Sequence, residues 1–252
     1  MANLSAADAI TRGTAAVDAV WLGDVQVWPQ GGGFLPTDWA DLYHWLDPAS
    51  VTHSSGSNVD TATDLSGNGN DMTGVGTYTT AGAFGHLLFA GGRLEQTAVS
   101  PSDLVASATD CTIVQYAEPT QANKYGGSHG VLFFNDNRVL ADDDGGGLTW
   151  YIDIAGSGGG NRLAASLPAR AVDTQNVLVA YRRGSEVGCR VNGELVSVRY
   201  DASTSVPGGS TADLRRLPRG RCGDLIWRAG PSTDADMEAV EAFIAAKYGF
   251  SL

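Results

Sequence analysis

Apolar and polar residues alternate along several short segments of the chain, and the clearest alternation surrounds Asn192-Gly193. This dipeptide suits the two positive-φ positions of a type I′ turn, so it predicts a β-hairpin over residues 187–200. The expected cross-strand pairs are Val191 with Glu194, Cys189 with Val196, and Val187 with Val198. One face of the hairpin is then apolar and the other mostly polar, as in an antiparallel sheet with one solvated side.

Seven further segments have the β-branched and aromatic content of short strands. They are residues 42–47, 87–90, 111–117, 131–135, 148–154, 177–182 and 224–228. Short strands separated by glycine-rich turns indicate a single all-β, antiparallel sandwich.

One long segment near the end of the chain has helical periodicity instead. Its apolar residues recur at spacings of three and four, and they are Met237, Val240, Ile244 and Tyr248. Thr233 with Asp236 predicts an N-terminal capping box, and Gly249 predicts the end of the helix. We expect this helix to pack on the outer edge of the sheet and to leave Glu238 and Glu241 on its solvated face.

The N-terminal segment predicts a second hairpin, because residues 17–22 and 25–28 flank Gly23-Asp24, which suits a type II′ turn. Pairing Leu22 with Val25 makes both faces apolar. One face then carries Val20, Leu22, Val25 and Val27, and the other carries Ala19, Trp21 and Trp28.

A lone two-stranded hairpin with two apolar faces is marginal in water, so we expect residues 1–30 to dock on another protein. Residues 31–35 would be a glycine-rich linker to a body at 36–252. The expected docking residues are Val20, Trp21, Leu22, Val25, Val27 and Trp28. The alternative is that the hairpin adds an edge strand to the body's own sheet.

Charge and cysteine content narrow the possible partners. With 252 residues and a formal net charge of -12, the chain would repel a phosphate backbone, so nucleic acid is not an expected partner. The three cysteines have no CxxC spacing, which predicts neither a disulfide framework nor a zinc site. The sequence lacks a signal-peptide pattern and a long apolar run, so we expect synthesis in a cytoplasm and no membrane insertion.

Six segments, taken in order, resemble concanavalin A-like, laminin-G-type lectin domains. They are LYHWLDPAS at 42–50, DLSGNGND at 64–71, LFAG at 88–91, TIV at 112–114, VNGELV at 191–196 and ADMEAVEAFIAAKYG at 235–249. The resemblance covers about residues 36–252. It implies an antiparallel jelly-roll β-sandwich with one C-terminal helix, preceded here by the N-terminal hairpin.

The segment AVDAVWLGDVQVWP at 16–29 is similar to the leader of minor tail proteins of tailed bacteriophages. The two resemblances together imply a virion tail component that attaches to other tail proteins and presents a lectin-like domain to host cell-surface glycans. By analogy with tail appendages, a homotrimer is plausible. The competing hypothesis is a purely structural tail decoration protein without glycan binding.

Two sequence patterns bear on enzymatic activity, and neither is complete. Gly126-Gly127-Ser128-His129-Gly130 matches G-x-S-x-G, but a predicted strand follows it, whereas a nucleophile elbow needs a helix there. Glycanases on sandwich folds need two nearby carboxylates, and no strand carries such a pair at alternating positions. We therefore predict no catalytic residues, and a glycan hydrolase on the same fold is the less favoured alternative.

Oxygen-bearing residues form two candidate ion sites. Asp64, Ser66 and Asn68 match the first half of a calcium loop, but its twelfth position is Val75, which excludes a tight EF-hand-type site. A weak calcium site and an Asx-rich turn both remain possible there. The acidic run at residues 142–144 is equally ambiguous, and a solvated loop is favoured. No other cofactor is predicted.

Glycan recognition needs an aromatic ring to stack on a sugar and planar polar groups to bind its hydroxyls. Tyr151 and Asp153 meet this requirement, because they share one face of a predicted strand. Loops at 142–147 and 156–162 would flank them. The full predicted set is Tyr151, Asp153, Asp142, Asp143, Asp144 and Asn161. The alternative is an ordinary solvated face.

Overall fold

A computed structural model of the chain describes most of its strands and its C-terminal helix. The described residues are 11–12, 15–16, 20–22, 25–28, 34–52, 59–75, 78–81, 86–89, 93–95, 110–119, 129–134, 137–143, 148–153, 162–166, 174–200, 212–214 and 220–252. The chain divides into two units, Met1–Leu35 and Pro36–Leu252.

The N-terminal unit contains four short strands. β1 (Thr11–Arg12) pairs with β2 (Ala15–Ala16), and β3 (Val20–Leu22) pairs with β4 (Val25–Trp28). Leu22 pairs with Val25, as the sequence predicts. A bulge then sets Val20 opposite Trp28, so Trp28 shares a face with Val20 and the predicted grouping of Trp28 with Trp21 is wrong. The cause is the extra residue, Val27, which an alternating pattern cannot reveal.

The body is antiparallel throughout the described pairings, with one helix. Its strands are β5 (Leu42–Thr52), β6 (Thr61–Asp64), β7 (Met72–Val75), β8 (Tyr78–Ala81), β9 (His86–Phe89), β10 (Arg93–Glu95), β11 (Cys111–Pro119), β12 (His129–Phe134), β13 (Asn137–Asp143), β14 (Leu148–Asp153), β15 (Arg162–Ser166), β16 (Asn176–Arg183), β17 (Glu186–Val191), β18 (Glu194–Tyr200), β19 (Ala212–Leu214) and β20 (Gly220–Arg228). A 3₁₀ turn, Pro36–Asp38, precedes them, and α1 (Asp234–Tyr248) follows. The predicted all-β class is confirmed.

The body's strands form one continuous hydrogen-bonded path. Its order is β15-β14-β13-β12-β19-β10-β7-β6-β5-β20-β11-β16-β17-β18, with β9 pairing to both β8 and β20 beside it. The two ends of the path meet, because β15 lies next to β18 and β17. The sheet therefore curls until its two end strands come together.

The core lies on the central strands β11, β16 and β20. Val114 pairs with Val179 on one side and with Ile226 on the other, and all three side chains have no exposed surface. Their neighbours on the opposite face of the same strands, such as Ile113 and Leu225, are buried as well. Burial on both faces explains the unbroken apolar runs in these strands, such as residues 177–181 of β16 and 225–227 of β20.

Helix α1 forms as its sequence predicts. Thr233 and Asp236 make the capping box, Gly249 adopts φ 73° at the C-terminal end, and the predicted apolar stripe is buried. The helix packs against β11 and β16, so the expected position on the outer edge of the sheet is wrong. A helix over β11 and β16 covers a face of these strands that would otherwise be open to solvent.

The hairpin of β17 and β18 has the predicted turn but a different register. Asn192 and Gly193 have φ values of 50° and 82°, as a type I′ turn requires. A bulge between Cys189 and Arg190 pairs Cys189 with Ser197 and Val187 with Arg199, so the predicted partners Val196 and Val198 are wrong. The bulge inserts one residue in β18 and shifts every later pair by one.

Two strands occupy segments expected to be loops. Asp142 and Asp143 belong to β13, and Arg162 begins β15, so the loops predicted at 142–147 and 156–162 begin and end inside paired strands. Backbone pairing with β14 explains this result, since the ladder extends into polar sequence. Within the described residues, no helix has the length and apolar character needed to cross a membrane.

Candidate glycan-binding face and buried clusters

Three of the predicted glycan-binding residues lie on one face of β13 and β14. In the antiparallel register, Asp142 pairs with Thr149, Leu140 with Tyr151, and Asp153 with Arg162 of β15. Directly paired residues share a face, and so do alternate residues along a strand. Asp142, Tyr151 and Asp153 therefore share a face with Arg162, and we call these four residues the β13–β15 face.

The other predicted glycan-binding residues are placed differently. Asp143 pairs with Leu148, which puts it on the opposite face of the strands, with Trp150 and Ile152. Asp144 and Asn161 lie outside the described residues. The register thus divides the acidic run, which the sequence treats as one group.

Asp64 is the centre of a turn that fastens the segment after β6 to β5. Its carboxylate accepts hydrogen bonds at 3.0 Å each from the backbone N–H groups of Trp45, Ser66 and Asn70. Ser66 Oγ donates to it at 2.7 Å, and His44 Nδ1 lies 3.4 Å away. Donors therefore surround both carboxylate oxygens.

Asn68 completes the turn by donating from Nδ2 to the backbone oxygens of Leu42 at 2.8 Å and Tyr43 at 3.1 Å. Burial alone would raise the pKa of Asp64, but the hydrogen bonds from His44, Ser66 and the backbone hold that pKa well below its usual value. Both carboxylate oxygens of Asp64 and the hydroxyl of Ser66 thus bind protein groups, an arrangement typical of an Asx-rich turn.

A second cluster joins the last turn of α1 to β5 and β20. Lys247 Nζ lies 2.7 Å from Asp224 Oδ2 and 2.8 Å from Asp47 Oδ2. Asp224 has no exposed surface, and its carboxylate also accepts hydrogen bonds from Trp45 Nε1 at 2.7 Å and the Tyr248 hydroxyl at 2.6 Å. We call these five residues the Lys247 cluster.

Aromatic rings pack against two members of the Lys247 cluster. Tyr248 stacks on Tyr116 with ring centroids 3.8 Å apart, and Trp45 meets Phe243 edge to face at 6.2 Å. Gly223 makes the stack possible, because a Cβ at this position would collide with the Tyr248 hydroxyl and the Tyr116 ring. Burial raises the pKa of the Asp224 carboxyl, which disfavours its charged form.

A third cluster ties α1 to the turn between β17 and β18. Glu241 has no exposed surface, and its carboxylate binds Arg190 Nε at 3.1 Å and the backbone N–H of Gly193 at 3.1 Å. The expectation that Glu241 is solvated is wrong, whereas Glu238 is exposed as predicted. Arg190 is also buried, because α1 covers the hairpin face that the sequence analysis takes to be solvated.

The described cysteines are unreactive, and the described side chains form no metal site. Burial raises the pKa of Cys111 to about 11 and that of Cys189 to about 12, so both remain protonated thiols. Within the described ranges, no group of three or more metal-ligating side chains occurs. Gly126, Gly127 and Ser128 lie outside those ranges. The strand predicted from residue 131 is present as β12, which begins two residues earlier, at His129.

Comparison with known proteins identifies similar folds only. No protein-family model matches the chain, and no curated protein does. Solved structures do match. The binding domain of botulinum neurotoxin serotype C1 has a TM-score of 0.61 at 10% identity, and the match covers 83% of this chain and 53% of that one.

Two further solved structures match with similar coverage and low sequence identity. The binding domain of Paraclostridial Mosquitocidal Protein 1 gives a TM-score of 0.58 at 14% identity, covering 83% of this chain and 53% of that one. The binding domain of botulinum neurotoxin DC, solved in complex with SialylT, gives 0.57 at 10% identity, with 83% and 52% covered. The chain thus spans about half the length of these structures and shares their fold.

Proposed function

We propose that this chain is a non-enzymatic, carbohydrate-binding protein of a bacteriophage tail. Its lectin-like jelly-roll body would bind host-surface glycans, and its N-terminal hairpin would attach it to other tail proteins. The observation that carries the glycan proposal is the common face of Asp142, Tyr151 and Asp153. The shared fold with a binding domain solved in complex with SialylT supports it.

The residue types of the β13–β15 face suit sugar recognition. An aromatic ring stacks on the apolar face of a pyranose, and carboxylates accept hydrogen bonds from its hydroxyls. Arg162, paired with Asp153, adds a planar donor that binds an anionic group or a hydroxyl pair. Three adjacent strands hold these residues at fixed spacing, and such rigidity lowers the entropy lost on binding.

The attachment proposal rests on the apolar hairpin of β3 and β4. A two-stranded sheet of this size is marginal in water, and burial of Val20, Trp21, Leu22, Val25, Val27 and Trp28 on a partner would stabilise it. The similarity of residues 16–29 to tail-protein leaders favours a tail protein as that partner. A trimeric arrangement would present several glycan-binding faces together.

Glycan binding is tested by applying the full-length chain to an array that includes neutral and sialylated glycans. Sialylated probes are needed because of the SialylT complex, and neutral probes because a net charge of -12 disfavours anionic ligands. We expect Tyr151→Ala to weaken binding about tenfold, the effect of losing roughly 1.4 kcal/mol of stacking.

The register supplies a matched pair of control variants. Asp142→Asn should weaken glycan binding, whereas Asp143→Asn, on the opposite face, should leave it unchanged. Equal effects of the two substitutions would contradict the proposed face. If no glycan on the array binds the unaltered chain, the structural decoration hypothesis is supported instead.

A further inference from the structure

The Lys247 cluster places an amine against a carboxyl group inside the protein. Lys247 Nζ is 2.7 Å from Asp224 Oδ2, and a second carboxylate, Asp47, is 2.8 Å from the same nitrogen. Buried charged pairs contribute little to stability unless their geometry is excellent, because desolvation offsets the attraction between the charges. The distances and hydrogen bonds within this cluster suit a reaction between the amine and the carboxyl group better than a purely stabilising role.

We propose that Lys247 and Asp224 condense to an intramolecular amide that covalently joins α1 to β20. In the step, a proton leaves the Lys247 ammonium, and Asp224 takes up one proton to become a neutral carboxylic acid. The uncharged Nζ attacks Asp224 Cγ, the N–C bond forms, and Oδ2 departs with two hydrogens as water. Amine and carboxylic acid thus give one amide and one water, with no oxidant or other reactant.

The surrounding groups match the needs of this reaction. Asp47 lies where it accepts the proton from Nζ, as a general base must. Trp45 Nε1 donates to Asp224 Oδ1 at 2.7 Å, which stabilises negative charge on that oxygen when Cγ becomes tetrahedral. The Tyr248 hydroxyl donates to Oδ2, the departing oxygen, at 2.6 Å.

Burial favours the reactive form of the carboxyl group. The raised pKa of Asp224 increases its protonated fraction, and only the protonated acid loses water readily. Holding the two reacting groups together removes the entropic cost of bringing them into contact. Asp224 has no exposed surface, so bulk water, which would reverse the reaction, has little access to its carboxyl group.

The decisive test is the intact mass of the unaltered full-length chain, measured under denaturing conditions after incubation of the folded protein at neutral pH. We expect a mass lower than that of the sequence by one water molecule. Digestion should then release the peptide with Asp224 joined to the peptide with Lys247. An unchanged mass, or a water loss confined to one peptide, would overturn the proposal.

The small number of lysines gives a second measurement. The chain has two lysines, Lys124 and Lys247, so labelling amines in the denatured protein should modify Lys124 and spare Lys247. Lys247→Arg should abolish the mass loss, whereas the control Lys124→Arg should retain it. Asp47→Asn should slow amide formation by about a hundredfold, the usual effect of removing a general base. Formation at the unaltered rate in Asp47→Asn would refute the assigned role of Asp47.

Discussion

At the scale of single residues, buried charges decide where the structure departs from the sequence pattern. Glu241 and Arg190 occupy positions that a periodicity argument assigns to solvent, yet each is buried against the other. Their separation of 51 positions explains why a local pattern misses the pair. Asp224 gives a weak signal in the sequence, since it directly precedes the apolar run Leu225-Ile226-Trp227.

Asp64 makes a prediction about the pH dependence of stability. Its folded-state pKa lies below the unfolded value of about 3.9, so its stabilising contribution is complete above that pH. The contribution is lost as the pH falls through the folded-state pKa. We expect Asp64→Asn to lower the free energy of unfolding by about 2 kcal/mol at pH 7, because hydrogen bonds to a buried charge are lost.

Urea unfolding of both proteins at a series of pH values measures this effect. The difference between Asp64→Asn and the unaltered chain should shrink as the buffer becomes more acidic than the unfolded pKa. A difference that stays constant down to the acid limit would contradict the prediction.

At the scale of elements, strands and the helix are predictable where local chemistry decides. The capping box at Thr233 and the turn at Asn192 are determined by neighbouring residues, and both are confirmed. The register of strand pairing farther from a turn is not determined by neighbouring residues. The bulges between Cys189 and Arg190 and between Val20 and Trp21 each change which residues share a face. The sequence does not predict β13 and β15, because their pairing with β14, rather than their composition, makes them strands.

The packing of α1 on the sheet predicts a strong effect of one glycine. Gly223→Ala would place a methyl group against the Tyr116–Tyr248 stack, and we expect a loss of about 1–3 kcal/mol in the free energy of unfolding. Gly67→Ala is the control, since its Cβ would meet no atom and only its φ of 84° opposes the substitution. Thermal unfolding followed by near-ultraviolet circular dichroism would measure both.

The two glycines separate packing from backbone conformation. Gly223→Ala should perturb the tyrosine signal as well as the stability, whereas Gly67→Ala should change stability alone, by about 1 kcal/mol. If Gly223→Ala leaves the tyrosine signal and the stability unaltered, the described packing of α1 is wrong.

At the scale of the whole molecule, the sequence pattern predicts the all-β class and the closing helix. The sequence pattern does not predict that the sheet curls, because the contact between β15 and β18 depends on strand pairing across the whole body. The membership of the β13–β15 face also depends on strand pairing. Alternation alone groups Tyr151 with Asp153, but only the register adds Asp142 and Arg162 and separates Asp143.

The division into Met1–Leu35 and Pro36–Leu252 predicts the behaviour of a truncated chain. A protein that begins at residue 36 should remain folded, because Pro36–Leu252 is a compact unit with a buried core of its own. Far-ultraviolet circular dichroism and the unfolding midpoint should match those of the full chain. In a phage assembly assay, the truncated protein should no longer enter particles, and its retention would contradict docking through the hairpin.

The position of α1 along the chain also sets when the fold can be completed during translation. β5, near the start of the body, pairs with β20, and α1 covers the central strands only after residue 248 has left the ribosome. Until then the faces of β11 and β16 that α1 will cover stay open to solvent and to other nascent chains. Efficient production should therefore depend on chaperones that shield apolar strands during synthesis.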